Sequence, residues 1–546
     1  MSRARSGRVS RARIVQLLVV GVVASAAALG LGAGSAFADS TYLCTGVAAT
    51  DTPALQADLD AGGTVTVLGP LPCVGNWTVN NDVTIVGGTP GATLNGNATG
   101  TVLTVTAPVT LTVRNLRITN GAGADGGGID DEFCGSTVNL SNALVTGNTA
   151  SSGGGGVFVD CATLNVTAST ISNNTAPDGG GIFGVDDATV NVTNSSVTGN
   201  TASEGGGVFL LGFELLNLTG ATVSRNSAGF AGGGIFGVEA AFLNGTASTI
   251  SSNSAGSAAV AEGEPLDAAG GGIAADFGYV TLTSTHVSGN TTSGFGGGIA
   301  FEDGGIPLEA ARPAAAPSGH AGHFPHLSLP SVKAPKGVVP NQPPIITLSP
   351  GLNLVSSTVD HNTAQVGAGG GIANFSCEFD SPVTMTGTTV SINRSSGSDL
   401  DTDSGGGGYV QYGNDCGFDT TASLVATNSQ FGGNTAKNSV GGAIFNANFD
   451  GGGAALVTLA QTPVMRLPMY LNDNQAGWGG GIFNWGDGAN TTLQPGAHVV
   501  HNQAFFNGGG VFNDCDGTLT VAPGALIMFN TPNQVFTNLG PCLVED

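Results

Sequence analysis

Ser169 to Phe183 reads STISNNTAPDGGGIF, and 26 residues later Ser195 to Phe209 reads SSVTGNTASEGGGVF. The shared Asn, Thr-Ala and Gly-Gly-Gly at matched places mark an internal repeat. Its glycine element, Gly-Gly-[Gly/Ala] followed by Ile, Val or Tyr, ends at Ile129, Val157, Ile182, Val208, Ile235, Ile273, Ile299, Ile372, Tyr409, Ile444, Ile482 and Val511. Intervals of 28, 25, 26 and 27 open the series and 26 and 29 recur later, while longer steps carry insertions. Within a unit such as Ala188 to Asn200, ATVNVTNSSVTGN, apolar residues alternate over short runs broken by Gly, Asn and Ser, the pattern of strands and turns. One unit is too small to bury its own apolar face, so units must stack. A coil of about 25 residues with three strands is one rung of a parallel β-helix.

The predicted fold is therefore all-β, a single-stranded right-handed parallel β-helix of the pectate-lyase-like type with about 12 to 14 rungs. At ~4.8 Å per rung the rod is roughly 60 to 70 Å long. The β-helix is expected over residues 79–530, with an N-terminal cap at 39–78, a C-terminal cap at 531–546, and a Pro/Ala-rich insertion at 303–350. That insertion holds His320, His323 and His326 with Lys333 and Lys336, and reads as a mobile excursion from one rung corner rather than a metal site.

An Asn stands eight or nine residues before the rung's Ile or Val at Asn120, Asn148, Asn174, Asn200, Asn226, Asn290, Asn474 and Asn502, and Asn253, Asn362 and Asn434 complete the series. Stacked, these are expected to form an Asn ladder, with Asn chosen for its tolerance of a left-handed turn and for amide bonds to the rungs on either side.

The strings Gly441-Gly442-Ala443-Ile444 and Phe431-Gly432-Gly433-Asn434, with relaxed versions such as Ile171-Ser172-Asn173-Asn174, resemble the right-handed β-helix proteins with polymorphic outer-membrane-protein repeats, G-G-A-I and F-x-x-N. The resemblance covers about Asn120 to Asn530. It implies the β-helix and a surface-exposed, adhesin-like role. Members often carry a C-terminal membrane barrel, for which the stretch after Asn530 is too short.

Five arginines, Arg3 to Arg13, precede an apolar run from Ile14 to Leu31 and then Ala36-Phe37-Ala38, the order of a secretory signal peptide at 1–38. A secreted or cell-surface protein with no membrane span in its mature chain is expected, and a monomer. The formal charge is −24, and the leader takes five of the 14 basic residues and none of the 38 acidic ones. Such a charge repels phosphate backbones, so nucleic acid is not an expected partner. Eight cysteines on an exported chain read as disulfides, paired Cys44–Cys73, Cys134–Cys161, Cys377–Cys416 and Cys515–Cys542, because Cys134 and Cys161, and Cys377 and Cys416, fall on adjacent rungs.

Acidic residues recur just past the glycine element, at Asp130, Asp131, Asp160, Asp186, Asp187, Glu214, Glu239, Asp276, Glu302, Asp415, Asp450, Asp487 and Asp514, and in register would form an acidic stripe. Asp399, Asp401 and Asp403 alternate in a loop as calcium ligands do, although Val410 stands where an EF-hand places its last carboxylate. Calcium is the one cofactor these residues suggest. Two function classes follow. The first is a non-catalytic rod binding an extracellular glycan or surface protein. The alternative is a lyase or glycoside hydrolase on acidic polysaccharide, with Asp401 and Arg394 as cation ligand and base, or Asp130-Asp131 or Asp186-Asp187 as the carboxylate pair. Adjacent strand residues point apart, which weakens those pairs.

Overall fold

The computed structural model describes residues 39–546 apart from 239–240, 257–269, 277, 304–350, 377–379, 398–404, 414–418, 449–452, 463–467, 541 and 543–546. The expected signal peptide, nearly all of the Pro/Ala-rich insertion, the Asp399, Asp401 and Asp403 loop, and Cys377 with Cys416 lie outside the described residues. The rest is a right-handed parallel β-helix. Three all-parallel sheets of 16, 15 and 15 strands form its walls, and a nine-stranded fourth sheet of two- to six-residue strands runs beside them.

One rung shows the path. Thr163–Thr167 lies in the first sheet, Thr170–Ser172 in the second and Ile182–Val185 in the third, after which Thr189–Thr193 re-enters the first sheet in register, Thr163 beside Thr189 and Thr167 beside Thr193. Leu164, Val166, Ile171 and Ile182 are fully buried, so alternation sends one face of each short strand into a single continuous core. The third sheet's 15 strands comprise the twelve glycine-marked rungs and three unmarked ones, at Trp77–Val79, Leu103–Val105 and Val535–Thr537. Parallel pairing extends from Ser40–Leu43 to Val535–Thr537, within the stretches expected as caps.

The three corners are built differently. Gly179 takes φ +57°, while a Cβ on Gly180 would meet the Thr201 carbonyl at 2.4 Å and one on Gly181 the Gly207 carbonyl at 2.5 Å. The triple glycine thus supplies one left-handed residue and two close approaches. At the first-to-second-sheet corner a hydroxyl accepts the amide of the preceding rung, Ser169 from Ala143 at 2.9 Å and Ser195 from Ser169 at 3.0 Å. At the corner leaving the second sheet runs the Asn ladder. Asn174 Nδ2 donates to Asn200 Oδ1 at 3.1 Å and to the Val145 carbonyl at 3.1 Å, and its backbone N–H donates to the same Asn200 Oδ1 at 3.0 Å. The pattern repeats from Asn148 to Asn530.

Two corrections to the ladder follow. Asn120 is not a member: it is exposed with φ +55°, and the neighbouring Gly121 donates its N–H to Asn148 Oδ1 instead. Asn393 and Asn530 are members, accepting from Asn362 and Asn502. The left-handed residue of this corner is the one before the ladder Asn, as at Asn173, Gly199 and Arg225, so Asn is required here for its amide and not for its backbone freedom.

Outside the third sheet a second apolar layer packs Phe158, Phe183, Phe209 and Phe236 in a column, with ring centroids 5.0 to 5.5 Å apart. Inside the C-terminal half, buried amides replace apolar residues: Gln411 donates to Asn446, Asn446 to Asn484 and Asn484 to Asn513, at 2.7, 3.0 and 2.9 Å.

The N-terminal end is closed by a helix, Ala48–Ala61, that the sequence reading did not foresee. Leu55 and Leu59 are buried on its inner face, and Asp51 in its first turn accepts from the Tyr42 and Thr45 hydroxyls and the Thr45, Gly46 and Val74 amides at 2.8 to 3.0 Å. Burial raises the Asp51 pKa, but these donors outweigh it and hold the carboxyl below its ordinary range. Cys44–Cys73 and Cys134–Cys161 are bridged with Cα atoms 4.5 and 4.7 Å apart, and Cys515–Cys542 at 5.3 Å ties the C-terminal end.

Candidate binding face

The outward side of the first sheet is where regularity and exposure coincide. Five successive strands, from Thr137–Ser141 to Phe242–Thr246, carry Asn at their centre, two of them as Thr-x-Asn-x-Thr, and register stacks the central positions as Thr112, Asn139, Asn165, Asn191, Asn217 and Asn244. Each amide donates to the rung before it: Asn244 to Asn217 at 3.1 Å, Asn217 to Asn191, Asn191 to Asn165 and Asn165 to Asn139 at 2.9 Å, and Asn139 to the Thr112 hydroxyl at 3.4 Å. Beside this column Ser141, Thr167, Thr193, Thr219, Thr246 and Thr283 form a parallel row of hydroxyls. On the other flank Leu215, Phe242 and Tyr279 stack, with the two rings nearly parallel and their centroids 4.5 Å apart, and Phe213 stands 69% exposed at the adjoining corner.

Across all 16 strands of this sheet Arg114 is the one charged residue, in a chain where 10% of residues are charged. Arg114 lines a shallow groove of about 460 Å³ with Thr112, Asn115, Asn139, Asn165 and Thr167. A surface of hydroxyls, amides and an aromatic ridge, with Arg114 its single charge, matches the chemistry of a mostly uncharged polyhydroxylated ligand.

The predicted catalytic candidates are not brought together in this way. Asp131 is fully buried and points inward, bound by the Ser136 hydroxyl at 2.6 Å, while Asp130 on the opposite face lies in register with Phe158. Burial, then the carboxylates of Glu132, Asp125 and Asp131, push Asp130 up to about 8. Asp186 and Asp187 are exposed at a corner with φ +53° and +67°. Arg394 is exposed in the fourth sheet, paired through its backbone with Thr363 and Thr435, and its proposed partner Asp401 lies outside the described residues.

Among the described residues the acids do not form one continuous stripe, and Glu239, Asp415 and Asp450 lie outside them. In one column of the third sheet Asp276 and Glu302 are neighbours in register, but Val185, Leu211 and Val238 separate that pair from Asp160, and Asp130 and Asp131 sit in other columns. Glu214 is fully enclosed, with neither carboxylate oxygen hydrogen-bonded. Burial, opposed by nearby amides and reinforced by Asp187 and Asp186, raises it to about 7. Among the described residues no three His, Cys, Asp or Glu side chains are grouped to hold a metal ion, and no helix is long and apolar enough to cross a membrane.

No protein-family model matches the chain, and neither does any curated protein or solved structure. The resemblance to the polymorphic outer-membrane-protein repeats is one of short strings, and no family match supports it.

Proposed function

We propose that this protein is a secreted, non-catalytic rod, adhesin-like and monomeric, that binds an extended and mostly uncharged glycan along the outward face of its first sheet. The single observation that carries the reading is the absence of charge from twelve successive strands of that face, Thr137–Ser141 to Thr518–Val521, on a chain of net charge −24. Water-exposed strand faces ordinarily carry charge. This one presents Thr and Asn in columns at rung spacing, so a ligand that repeats gains a contact at each rung and a single sugar gains only one. The Phe242–Tyr279 ridge offers an apolar surface to the C–H face of a pyranose. A polyanion is disfavoured by the long-range field of the acidic body.

The degradative alternative rests on Glu214 and Asp130, two carboxyls that hold a proton near neutral pH. Glu214 has no exposed surface through which a substrate would reach it.

The test is a glycan array probed with the wild-type protein and with Thr193→Lys/Thr246→Lys, both on the face. Binding to neutral oligosaccharides that falls by about tenfold or more in the double variant, and holds in a control Asp186→Asn on another corner, supports the reading. Wild type binding no glycan, or releasing unsaturated or reducing ends from any array member, overturns it.

A further inference from the structure

Arg114 is the one charge on the face, and it stands where the amide column ends. The five amides from Asn244 to Asn139 point their Nδ2 donors the same way, toward the N-terminal end of the rod, and the series stops at the Thr112 hydroxyl. Head-to-tail amide dipoles add, so the column presents its positive end to the groove that Arg114 lines. Three residues on, across the left-handed corner at Asn115, Arg117 opens the next strand. Both arginines are exposed, and neither makes an ion pair with any described residue, although acidic residues outnumber basic ones 38 to 14. An unpaired guanidinium, a donor-terminated amide column and a concave surface together favour an oxyanion.

Resting on the glycan-binding reading, we propose that this groove is an anion subsite. It takes the carboxylate or sulfate of one acidic sugar at the end of, or sparsely spaced along, a glycan whose neutral part follows the first sheet. Arg114 supplies the forked donor, and the Asn115 amide and Thr112 hydroxyl flank it. Arg117 adds attraction without lining the groove. The neutral track and this subsite therefore read different parts of one ligand.

The experiment is an array that pairs each neutral oligosaccharide with its uronate-bearing and its sulfated counterpart, read with wild type, Arg114→Gln and Arg114→Lys, with inorganic sulfate as competitor. The expected result is that one substituted series binds wild type about tenfold more tightly than its neutral partner, and less so at high salt. Arg114→Gln closes that gap, so that the variant binds neutral and substituted partners alike, and Arg114→Lys restores part of it. Uronate and sulfate arms identify the source of the anion. Equal binding of neutral and substituted partners, a gap that survives Arg114→Gln, or inorganic sulfate binding as tightly as the substituted glycan overturns the subsite while leaving the face intact. Binding of no member overturns both. Melting temperature reports whether each variant is folded.

Discussion

Replacing Asn226 by Ala tests whether the buried ladder holds the rungs together. Asn226 is 1% exposed. Its Nδ2 donates to Asn253 Oδ1 and to the Val197 carbonyl at 3.0 Å each, and its Oδ1 accepts the Asn200 N–H and Nδ2 at 3.0 Å each. Truncation spares some of these groups, because Asn200 Nδ2 keeps the Ile171 carbonyl and Asn253 Oδ1 keeps the Asn226 N–H. The Asn200 N–H and the Val197 carbonyl lose their bonds to the side chain. At ~1–3 kcal/mol for each buried orphan, with a small cavity, the cost is about 3–5 kcal/mol. Asn191 on the outer column also accepts and donates at 2.9 Å, but water replaces those bonds, so Asn191→Ala costs less than about 1 kcal/mol. Because rungs interact with nearest neighbours, the loss should stay local. Amide hydrogen exchange at residues 197 to 200 and 253, alongside urea unfolding, measures it. Equal destabilisation by the two variants would refute the assignment of rung cohesion to the inner ladder.

Gly180→Ala should prevent correct rung closure and leave little folded protein, because its Cβ meets the Thr201 carbonyl at 2.4 Å, whereas Gly135→Ala, with open space around it, should cost only the strain of its positive φ; yield of protease-resistant protein compares them. Glu214 keeps its proton to about pH 7 in the fold against an ordinary 4.5, so its contribution to stability is full below 4.5 and declines as pH rises to about 7; Glu214→Gln should flatten the Tm profile across that window, and an unchanged slope would show that another group causes it. Asp51 is held below its ordinary value, so its contribution is present near neutrality and is lost on acidification below that value; Asp51→Asn should lower Tm at pH 7 and reduce the acid-induced loss. Removing the Cys134–Cys161 bridge, which closes 27 residues, should cost at most about 3–4 kcal/mol in urea unfolding.

The fold was legible because its constraints repeat. The glycine element marks a corner where side chains are excluded, and that requirement recurs at every marked rung. The helix at Ala48–Ala61 was not legible, since its inward face is little more than Leu55 and Leu59, one i to i+4 pair, and Pro53 lies within it. Asn393 stands 16 residues before Tyr409, outside the spacing of eight or nine, and no glycine element follows Asn530. Asn120 was admitted by spacing alone, and only the corner geometry separates the left-handed residue from the ladder residue after it. For the site, the signal was present and unread: TLNVT at Thr163–Thr167 and TVNVT at Thr189–Thr193 repeat in step with the glycines, and the column they make needs only the register. The burial of Glu214 follows from register and not from distance past the glycine element: it stands just before its first-sheet strand, stacked with the buried Ala188 and Ala241, whereas Asp186 lies two residues earlier in its rung at an exposed corner.

Repetition also explains why the acids failed to align while Thr and Asn did. Stacking places equivalent residues about 4.8 Å apart, where two like charges repel by about 1 kcal/mol even at the dielectric of water, and more against a protein wall. A column of carboxylates accumulates that cost at every rung. A column of amides gains instead, since each Asn both donates and accepts, as from Asn139 to Asn244. The acidic residues accordingly form no long column: Asp276 and Glu302 stack as a single pair, and Val185, Leu211 and Val238 stand between that pair and Asp160. A stacked rod therefore amplifies uncharged contacts at lower cost than charged ones, which favours a ligand uncharged over most of its length. Charge is admissible where the column stops. In the first sheet that place is Arg114, one rung beyond the last Asn, which is why a mostly neutral ligand with a sparse or terminal anion fits this face better than a polyanion or a neutral chain alone.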